Sequence, residues 1–260
     1  MNIFNLIESF DAKKTAGTDL ADRRELFRKL GDFGKRLALG TLSVGAVATA
    51  STQKAAAQGG AANPTDILNF ALLLEYLEAE FYVKGLDAGI IPSGTPEQVI
   101  MQIGKHEAQH VEVLKKALGS AAIEKPEFDF TAKGMFMPFS NYGQFLVLSQ
   151  AFEDTGVRAY KGQAGNLILG GDLLTAALQI HSVEARHAAR VRRLRGVQSW
   201  YLRTDRDRNV AAVYAGEDNV TQGGVDLTTI TDIDTVDIQE SFDEPLTREE
   251  VTAIAKLFLA

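Results

Sequence analysis

The 260-residue sequence contains no cysteine. This absence excludes disulfide bonds, thiolate metal ligands and a cysteine nucleophile, so any bound metal has to be held by carboxylates, imidazoles or water. Such a ligand set favours iron or manganese. The compartment stays open, because an exported protein does not need disulfides.

Positive charge is also scarce over most of the chain. The net charge is −7, but the first sixty residues hold nine Lys/Arg against six Asp/Glu, whereas the remainder holds 18 against 28. Because residues 61–260 carry a net negative charge, they repel the phosphate backbone of nucleic acids. Nucleic acid is therefore not an expected partner. The hydrophobic fraction of 45% is enough for a substantial core, and the length fits one domain with appendages.

The N-terminal region lacks an apolar run long enough for a membrane span. Its weakly apolar segment 37–50 has about fourteen residues. Arg23 and Arg24 precede this segment and the small residues 55–60 follow it, an order that resembles a twin-arginine export signal with a cleavage region. We therefore expect a leader over residues 1–58, a periplasmic or otherwise extracytoplasmic protein, and no stable membrane insertion once the signal is removed. A cytoplasmic protein with an N-terminal amphipathic helix is the alternative.

Four helices are predicted between residues 59 and 200. Their expected spans are 64 to about 85 or 89, 95–119, 140–163 and 172–195. Pro64 favours the start of the first, and Thr95 with Gln98 has the form of a capping box at the start of the second. The connection 120–139 is long for a bundle loop and indicates a crossover between the second and third helices.

The last part of the chain, residues 201–260, has a different composition. It is rich in Gly, Asn, Asp, Thr and β-branched residues, so we expect irregular or short extended structure packed on the bundle. Thr247 and Glu250 form a capping-box pattern that predicts a short final helix.

Two Glu-x-x-His pairs are the most informative motifs. Glu107 precedes His110 by three residues, and Glu184 precedes His187 by the same spacing, so each pair shares one helical face. One such pair is weak evidence for a metal site, because in this composition any histidine has roughly a 7% chance of a glutamate three residues before it.

An internal repeat strengthens the two pairs. A glutamate followed seven residues later by a tyrosine stands 32 and 31 residues before the respective pairs, as Glu75 with Tyr82 and Glu153 with Tyr160. A duplicated helix pair is the simplest explanation.

Four helices that supply four carboxylates and two imidazoles can neutralise two divalent cations, which removes the cost of burying those charges. This pattern resembles the ferritin-like superfamily of di-iron carboxylate proteins over residues 63–195. Leu-Glu-Tyr-Leu-Glu-Ala-Glu-Phe-Tyr, residues 74–82, resembles its bacterial, desiccation-related branch. The resemblance implies an all-α, antiparallel four-helix bundle with a long crossover and an irregular C-terminal extension.

The resemblance also assigns roles to the repeated residues. It makes Glu107 and Glu184 bridging ligands, and Tyr82 and Tyr160 partners of ligating carboxylates. The terminal ligands it implies are Glu75, Glu153, His110 and His187. The two tyrosines are alternatively core aromatics whose hydroxyl groups find a hydrogen bond.

Other polar residues near the motifs receive weaker interpretations. Glu78 has no counterpart in the third helix, where the equivalent residue is Gly156. Three interpretations of Glu78 stay open: an extra metal ligand, a replacement for Glu75 as a ligand, or a charge at the edge of the bundle. His106 is expected to face solvent. His181 is expected to be an ordinary packed or surface histidine, and the alternative is that it lines an access path. The arginines that end the fourth helix are expected to be solvated, and Asp154 to be solvated or a neighbour of the ligands.

The expected function is a di-metal carboxylate protein with two iron ions, or alternatively manganese. It would oxidise Fe(II) or reduce dioxygen or peroxide in an oxidative or desiccation stress role. Manganese would instead imply catalase-like disproportionation of peroxide. The alternative from another class is a non-catalytic stress or structural protein with the same bundle. A homodimer is expected as a possible assembly.

Overall fold

The computed structural model describes residues 63–167, 171–203, 205, 210–230 and 232–260. The predicted export leader, residues 1–58, lies outside these residues. The predicted all-α class with an irregular C-terminal extension is confirmed, because long helices dominate and the only strands among the described residues are two of two residues each.

Four long helices form the main body. They are α1 (Pro64–Asp87), α2 (Thr95–Leu118), α3 (Tyr142–Ala164) and α4 (Asp172–Leu194). Each lies within about two residues of its predicted bounds, because their starts and ends coincide with Pro, Asn and Gly residues that stop or cap helices.

The helix starts differ in how they are capped. The Asn63 side chain accepts a hydrogen bond from the Thr65 backbone NH, and Pro64 occupies the first turn of α1. The predicted capping box of Thr95 and Gln98 is wrong. The N-cap of α2 is Gly94, and the Gln98 NH donates to the Gly94 carbonyl. Gly94 has φ of 91°, a left-handed conformation that glycine adopts without strain, so the N-cap lies one residue before the predicted Thr95.

Contacts between helices fix their directions. Glu75 of α1 approaches His110 of α2, and Tyr82 of α1 bonds Glu153 of α3. His106 of α2 likewise approaches His187 of α4. A second contact in each pair runs in the opposite order along the two helices, since Gly104 of α2 approaches Tyr82, Tyr160 of α3 bonds Glu75, and His110 of α2 approaches Glu184 of α4. Therefore α1 is antiparallel to both α2 and α3, and α4 is antiparallel to α2. The second and third helices are thus parallel, which is why a crossover must join them.

The crossover, residues 119–141, contributes aromatic side chains to the core. Phe81 of α1 is fully buried, stacks on Phe145 with ring centroids 4.8 Å apart, and meets the edge of Phe152 at 5.0 Å. Phe130 of the crossover lies 5.3 Å from the same ring. Burial of such large rings contributes on the order of 1.5–3 kcal/mol each, so the crossover is anchored at one end of the bundle.

The C-terminal extension packs against α1 and α3. It contains a hairpin of β1 (Thr221–Gln222) and β2 (Val225–Asp226), and two short helices, α5 (Thr235–Gln239) and α6 (Arg248–Ala255). The predicted capping box of Thr247 and Glu250 is present at the start of α6. A second hydrophobic cluster joins the extension to the bundle; its members from α1 and α3 are Phe70, Leu74, Ala151 and Ala159, and those from the extension include Tyr201, Val213, Tyr214, Leu246, Val251 and Ile254.

Among the described residues, no helix combines the length and the apolar character needed to cross a bilayer.

Candidate metal centre

The six predicted ligand residues converge in the middle of the bundle. Two overlapping groups have ligand atoms within 4.8 Å of one another. One group consists of Glu75, Glu107, His110 and Glu184, and the other of Glu107, Glu153, Glu184 and His187. Each helix supplies at least one member. Glu107 and Glu184, one from each Glu-x-x-His pair, belong to both groups.

The first group surrounds the Nδ1 atom of His110. Oε2 of Glu107 lies 2.9 Å away, Oε2 of Glu75 lies 3.1 Å away and Oε1 of Glu184 lies 3.2 Å away. Burial lowers the pKa of the His110 imidazole, but its hydrogen bonds with these carboxylates outweigh burial and raise that pKa to about 12. The three carboxylates therefore favour the protonated form of the ring.

The second group surrounds the Nδ1 atom of His187. Oε1 of Glu107 lies 2.7 Å away, and Oε2 of Glu153 lies 3.2 Å away. Burial again lowers the pKa, but the negative charge of Glu153 and the contact with Glu107 outweigh it and raise the pKa of His187 to about 10. The two oxygens of Glu107 thus face different histidines, which is the arrangement expected of a carboxylate shared between two ions.

Burial of the carboxylates is complete. Glu75, Glu107, Glu153 and Glu184 are all 0% exposed. Burial, followed by repulsion from Glu184, raises the pKa of Glu107 to about 7. Burial also raises the pKa of Glu153, and burial with the charge of Glu75 raises the pKa of Glu184 well above its usual range. Desolvation and mutual repulsion thus make this cluster expensive unless cations hold it together.

Two tyrosines fix the carboxylates from across the bundle. The hydroxyl group of Tyr82 on α1 donates a hydrogen bond to Oε1 of Glu153 on α3, and that of Tyr160 on α3 donates to Oε1 of Glu75 on α1. In both cases the other oxygen, Oε2, faces a histidine. Each tyrosine is therefore bonded to the glutamate of the other half of the repeat.

The residues present fit a pair of metal ions. Oε2 of Glu184 is buried and accepts no hydrogen bond from any described residue. An unpartnered buried carboxylate oxygen is costly, whereas a cation satisfies it. Oxygen and nitrogen donors without sulfur match iron or manganese. Both histidines turn Nδ1 toward the carboxylates, so the same atoms that bind the carboxylates are placed to bind a metal.

Comparison with protein families agrees with this geometry. A family model described as a ferritin-like domain matches residues 63–197, slightly more than half of the chain and all four long helices. The chain belongs to the ferritin-like domain family. Comparison with curated proteins and with solved structures gave no match.

Glu78 is a fifth buried carboxylate in this ferritin-like domain. It is 2% exposed, and it belongs to neither four-residue group, whereas Glu75 belongs to the first. Burial, followed by repulsion from Glu184, raises its pKa well above the usual range. A Cβ atom at Gly156 would lie 3.1 Å from Oε2 of Glu184 and 3.3 Å from Oε1 of Glu78. The missing side chain of Gly156 therefore gives both carboxylates room.

His106 is the residue of the ferritin-like domain whose role the sequence missed. It was expected to face solvent, but its ring is only partly exposed and stacks on His187 with centroids 5.1 Å apart. Its Nδ1 lies 2.8 Å from Nε2 of His187, and its Nε2 lies 2.7 Å from the Gln102 side-chain amide. If His187 uses Nδ1 to bind a metal, its proton sits on Nε2 and is donated to His106. His181, by contrast, is half-buried and belongs to neither group.

The arginines at the end of α4 were expected to be solvated, and for Arg192 this is wrong. Arg192 is 2% exposed and binds Asp154 through two parallel hydrogen bonds of 2.6 and 2.7 Å. Asp154 also accepts a hydrogen bond of 2.7 Å from the Tyr214 hydroxyl, and Asp205 lies 3.4 Å from Arg192. This buried network ties the C-terminal extension to the helices directly behind Glu153.

Proposed function

We propose that the protein binds two iron ions and oxidises Fe(II) or reduces dioxygen or peroxide. The observation that carries the proposal is that the two oxygens of Glu107 face two different histidines, each with its own further carboxylate. The proposed ligands of one ion are Glu75, Glu107, His110 and Glu184, and those of the other are Glu107, Glu153, Glu184 and His187. Glu78 is proposed as an additional carboxylate next to Glu184.

The chemistry divides between the ions and the chain. Bound iron ions would supply electrons to an oxygen-derived substrate. The carboxylates hold and neutralise the cations, and the two tyrosine hydroxyls fix the orientation of Glu75 and Glu153. Tyr82 also links the cluster to the aromatic core, because its ring lies 5.7 Å from that of Phe81 and its hydroxyl group bonds Glu153.

Manganese in the same ligands is the second candidate, and it would support disproportionation of peroxide. The support for it is the donor set itself, since oxygen and nitrogen donors suit both metals. Measured metal content distinguishes them, because protein purified after growth with both metals retains the one that its site prefers.

A non-catalytic stress or structural protein is the candidate from another class. Support for it comes from the C-terminal extension, which shares the second hydrophobic cluster with α1 and α3 and which electron transfer to oxygen does not require. In that case the ions would only stabilise the bundle by linking four helices.

An anaerobic titration with Fe(II), followed by air or peroxide, tests these functions. A di-iron oxidoreductase gives an absorbance change in the near ultraviolet that saturates at two irons per chain and then turns over further Fe(II). A structural site binds iron without turnover on exposure to oxidant. Failure to retain iron above background would rule out both iron-based proposals.

We also propose that the protein is exported with its metals in place. The twin-arginine-like residues Arg23 and Arg24 support this, since that route carries folded, cofactor-loaded proteins. A reporter fused to residues 1–60 tests the proposal: changing both arginines to lysine should block export, and unaffected export would contradict it. Homodimer formation is proposed only from the size of the bundle, and light scattering of the purified chain decides it.

A further inference from the structure

A pocket of about 380 Å³ opens between α2 and α4 beside the candidate metal centre. All of its lining residues belong to these two helices, from Thr95 to His106 on α2 and from Val183 to Arg190 on α4. His187 lies in its wall and is only 4% exposed, so the pocket reaches the imidazole that faces Glu107. A pocket of this volume is in the range that holds small organic molecules.

The pocket is positively charged in an otherwise acidic body. Arg186 and Arg190 stand one turn apart on α4 and line the pocket, and its lining contains no Asp or Glu. Across the described ranges of the chain, neither arginine takes part in an ion pair. Residues beyond the first sixty hold 28 acidic against 18 basic side chains, so two unpaired guanidinium groups on one wall are a local reversal of charge. An anion is the occupant that this arrangement recognises.

The rest of the lining is apolar or neutral. Val99 and Ile103 of α2 and Val183 of α4 contribute aliphatic side chains to the lining, and Gln98 and Gln102 add amide groups. A bare inorganic anion would leave the aliphatic surfaces in contact with water. A molecule with a short hydrocarbon body and one carboxylate would bury that body against the aliphatic side chains while its charge pairs with an arginine.

We infer that this pocket binds a small amphipathic carboxylate, with its charge at Arg186 and Arg190 and its apolar body against Val99, Ile103 and Val183. In this position the ligand lies next to His106 and His187, and it covers the hydrogen bond between their rings. The inference that the carboxylate binds depends only on the residues that line the pocket. Its role as a substrate or effector of the metal centre rests on the proposed function.

The same charge has a consequence for iron entry. Arg186 and Arg190, which form no ion pair within the described part of the chain, repel Fe(II) over distances of about 10 Å at moderate salt, so the pocket does not suit the entry of a divalent cation. A neutral oxidant or an organic anion can enter the pocket without this electrostatic repulsion from the two arginines. The pocket therefore suits an anionic occupant better than a divalent cation.

Calorimetric titration of the full chain with hexanoate, and separately with hexanol, tests the inference. The two probes have the same hydrocarbon body, and only hexanoate is charged. The expected result is saturable binding of one hexanoate per chain, with hexanol at least about tenfold weaker. No saturable hexanoate binding, or equal binding of both probes, would overturn the inference.

Variants locate the site. Arg186→Gln combined with Arg190→Gln should weaken hexanoate binding by about tenfold or more, whereas Arg193→Gln, an exposed position outside the pocket, should leave it unchanged. Because all three side chains are at the surface, circular dichroism should give the same helix content for each variant. An equal loss in Arg193→Gln, or no loss in the double variant, would refute the location.

Titration of chelator-treated and iron-loaded protein separates this inference from the proposed function. Hexanoate binding to chelator-treated protein is expected, because the arginines and not the metal hold the charge. Binding only to iron-loaded protein would place the carboxylate on the metal and overturn the assignment. If iron analysis finds no retained iron while hexanoate still binds, the proposed function is wrong and the inference of a carboxylate-binding pocket is retained.

Discussion

The hydroxyl group of Tyr82 on α1 donates its hydrogen bond to Glu153 on α3, the glutamate that the internal repeat makes equivalent to Glu75. The reciprocal bond joins Tyr160 to Glu75. Each half of the repeat therefore supports a ligand of the other half, and the two halves cannot form their sites separately. Since both bonds leave Oε2 of the glutamate free to face a histidine, the tyrosines select which oxygen is presented to the centre.

Loss of either hydroxyl group should weaken metal binding and leave the fold intact. Tyr82→Phe and Tyr160→Phe keep the ring in the core but free one carboxylate oxygen, so we expect metal affinity to fall by about 10- to 100-fold. Competition with a chelating dye measures this. Tyr142→Phe is the matched control, because the buried Tyr142 hydroxyl has no hydrogen-bond partner among the described residues. Equal effects from all three changes would contradict a specific role of the hydrogen bonds.

His106 should hold the ring of His187 in place. His106→Ala removes the acceptor for Nε2 of His187, so we expect metal affinity at the site of Glu107, Glu153 and His187 to fall by about tenfold or more. His106→Asn and His106→Gln test whether another side-chain acceptor restores binding. The visible absorption spectrum of a cobalt-substituted site depends on the ligands around the metal, so it reports a change in the position of His187 directly. His181→Ala is the control, and a loss of the same size there would show that the effect is not specific.

The absent side chain at Gly156 should matter for the geometry of the centre. Gly156→Ala introduces a methyl group about 3.1 Å from Oε2 of Glu184 and 3.3 Å from Oε1 of Glu78, closer than most side-chain contacts. Glu184 must then shift, and we expect metal affinity to fall by about tenfold with only a small change in stability. Metal competition and thermal unfolding measure the two quantities. Unchanged affinity would mean that neither carboxylate needs this space.

The contact of the C-terminal extension with α3 depends on Gly162. A Cβ atom there would lie 2.0 Å from the carbonyl oxygen of Leu246, whereas at Gly165 it would meet no atom within 4 Å. Gly162→Ala should therefore cost about 1–3 kcal/mol of unfolding free energy and displace the segment around Leu246. Gly165→Ala should stay within about 0.5 kcal/mol of the parent.

Hydrogen exchange locates the effect of Gly162→Ala. Faster exchange confined to the amides of α6 and its preceding segment is expected, because Leu246 NH donates to the Arg158 carbonyl on α3. If Gly162→Ala and Gly165→Ala give the same stability and exchange pattern, the extension is not anchored at this point.

Local signals in the sequence were enough to predict the bounds of the helices and to select the six candidate ligands. Pro64 and the Thr247–Glu250 box act within one turn, so they identify helix ends without knowledge of the fold. The Glu-x-x-His spacing likewise places Glu107 and His110 on one face of a helix. The repeat then indicated that both halves meet at one centre.

The remaining features depend on distances between helices, which a linear pattern does not carry. Arg192 and Arg193 are adjacent in sequence, yet only Arg192 is buried, because Asp154 and Tyr214 lie beside it in the fold. The angle of His106 on α2 alone predicts a ring that faces solvent, whereas the ring stacks on His187. The close antiparallel approach of α4 brings His187 against it, and that approach could not be read from the residues next to His106 in sequence.

The stoichiometry of iron binding tests the shared centre most directly. Anaerobic titration of the chain should give two Fe(II) per chain. His110→Ala and His187→Ala should each leave one ion bound tightly, because each histidine belongs to one group, whereas Glu107→Ala should weaken both ions together since it belongs to both groups. A parent protein that binds a single ion, or a Glu107→Ala variant that still binds two with unchanged affinity, would contradict the shared site.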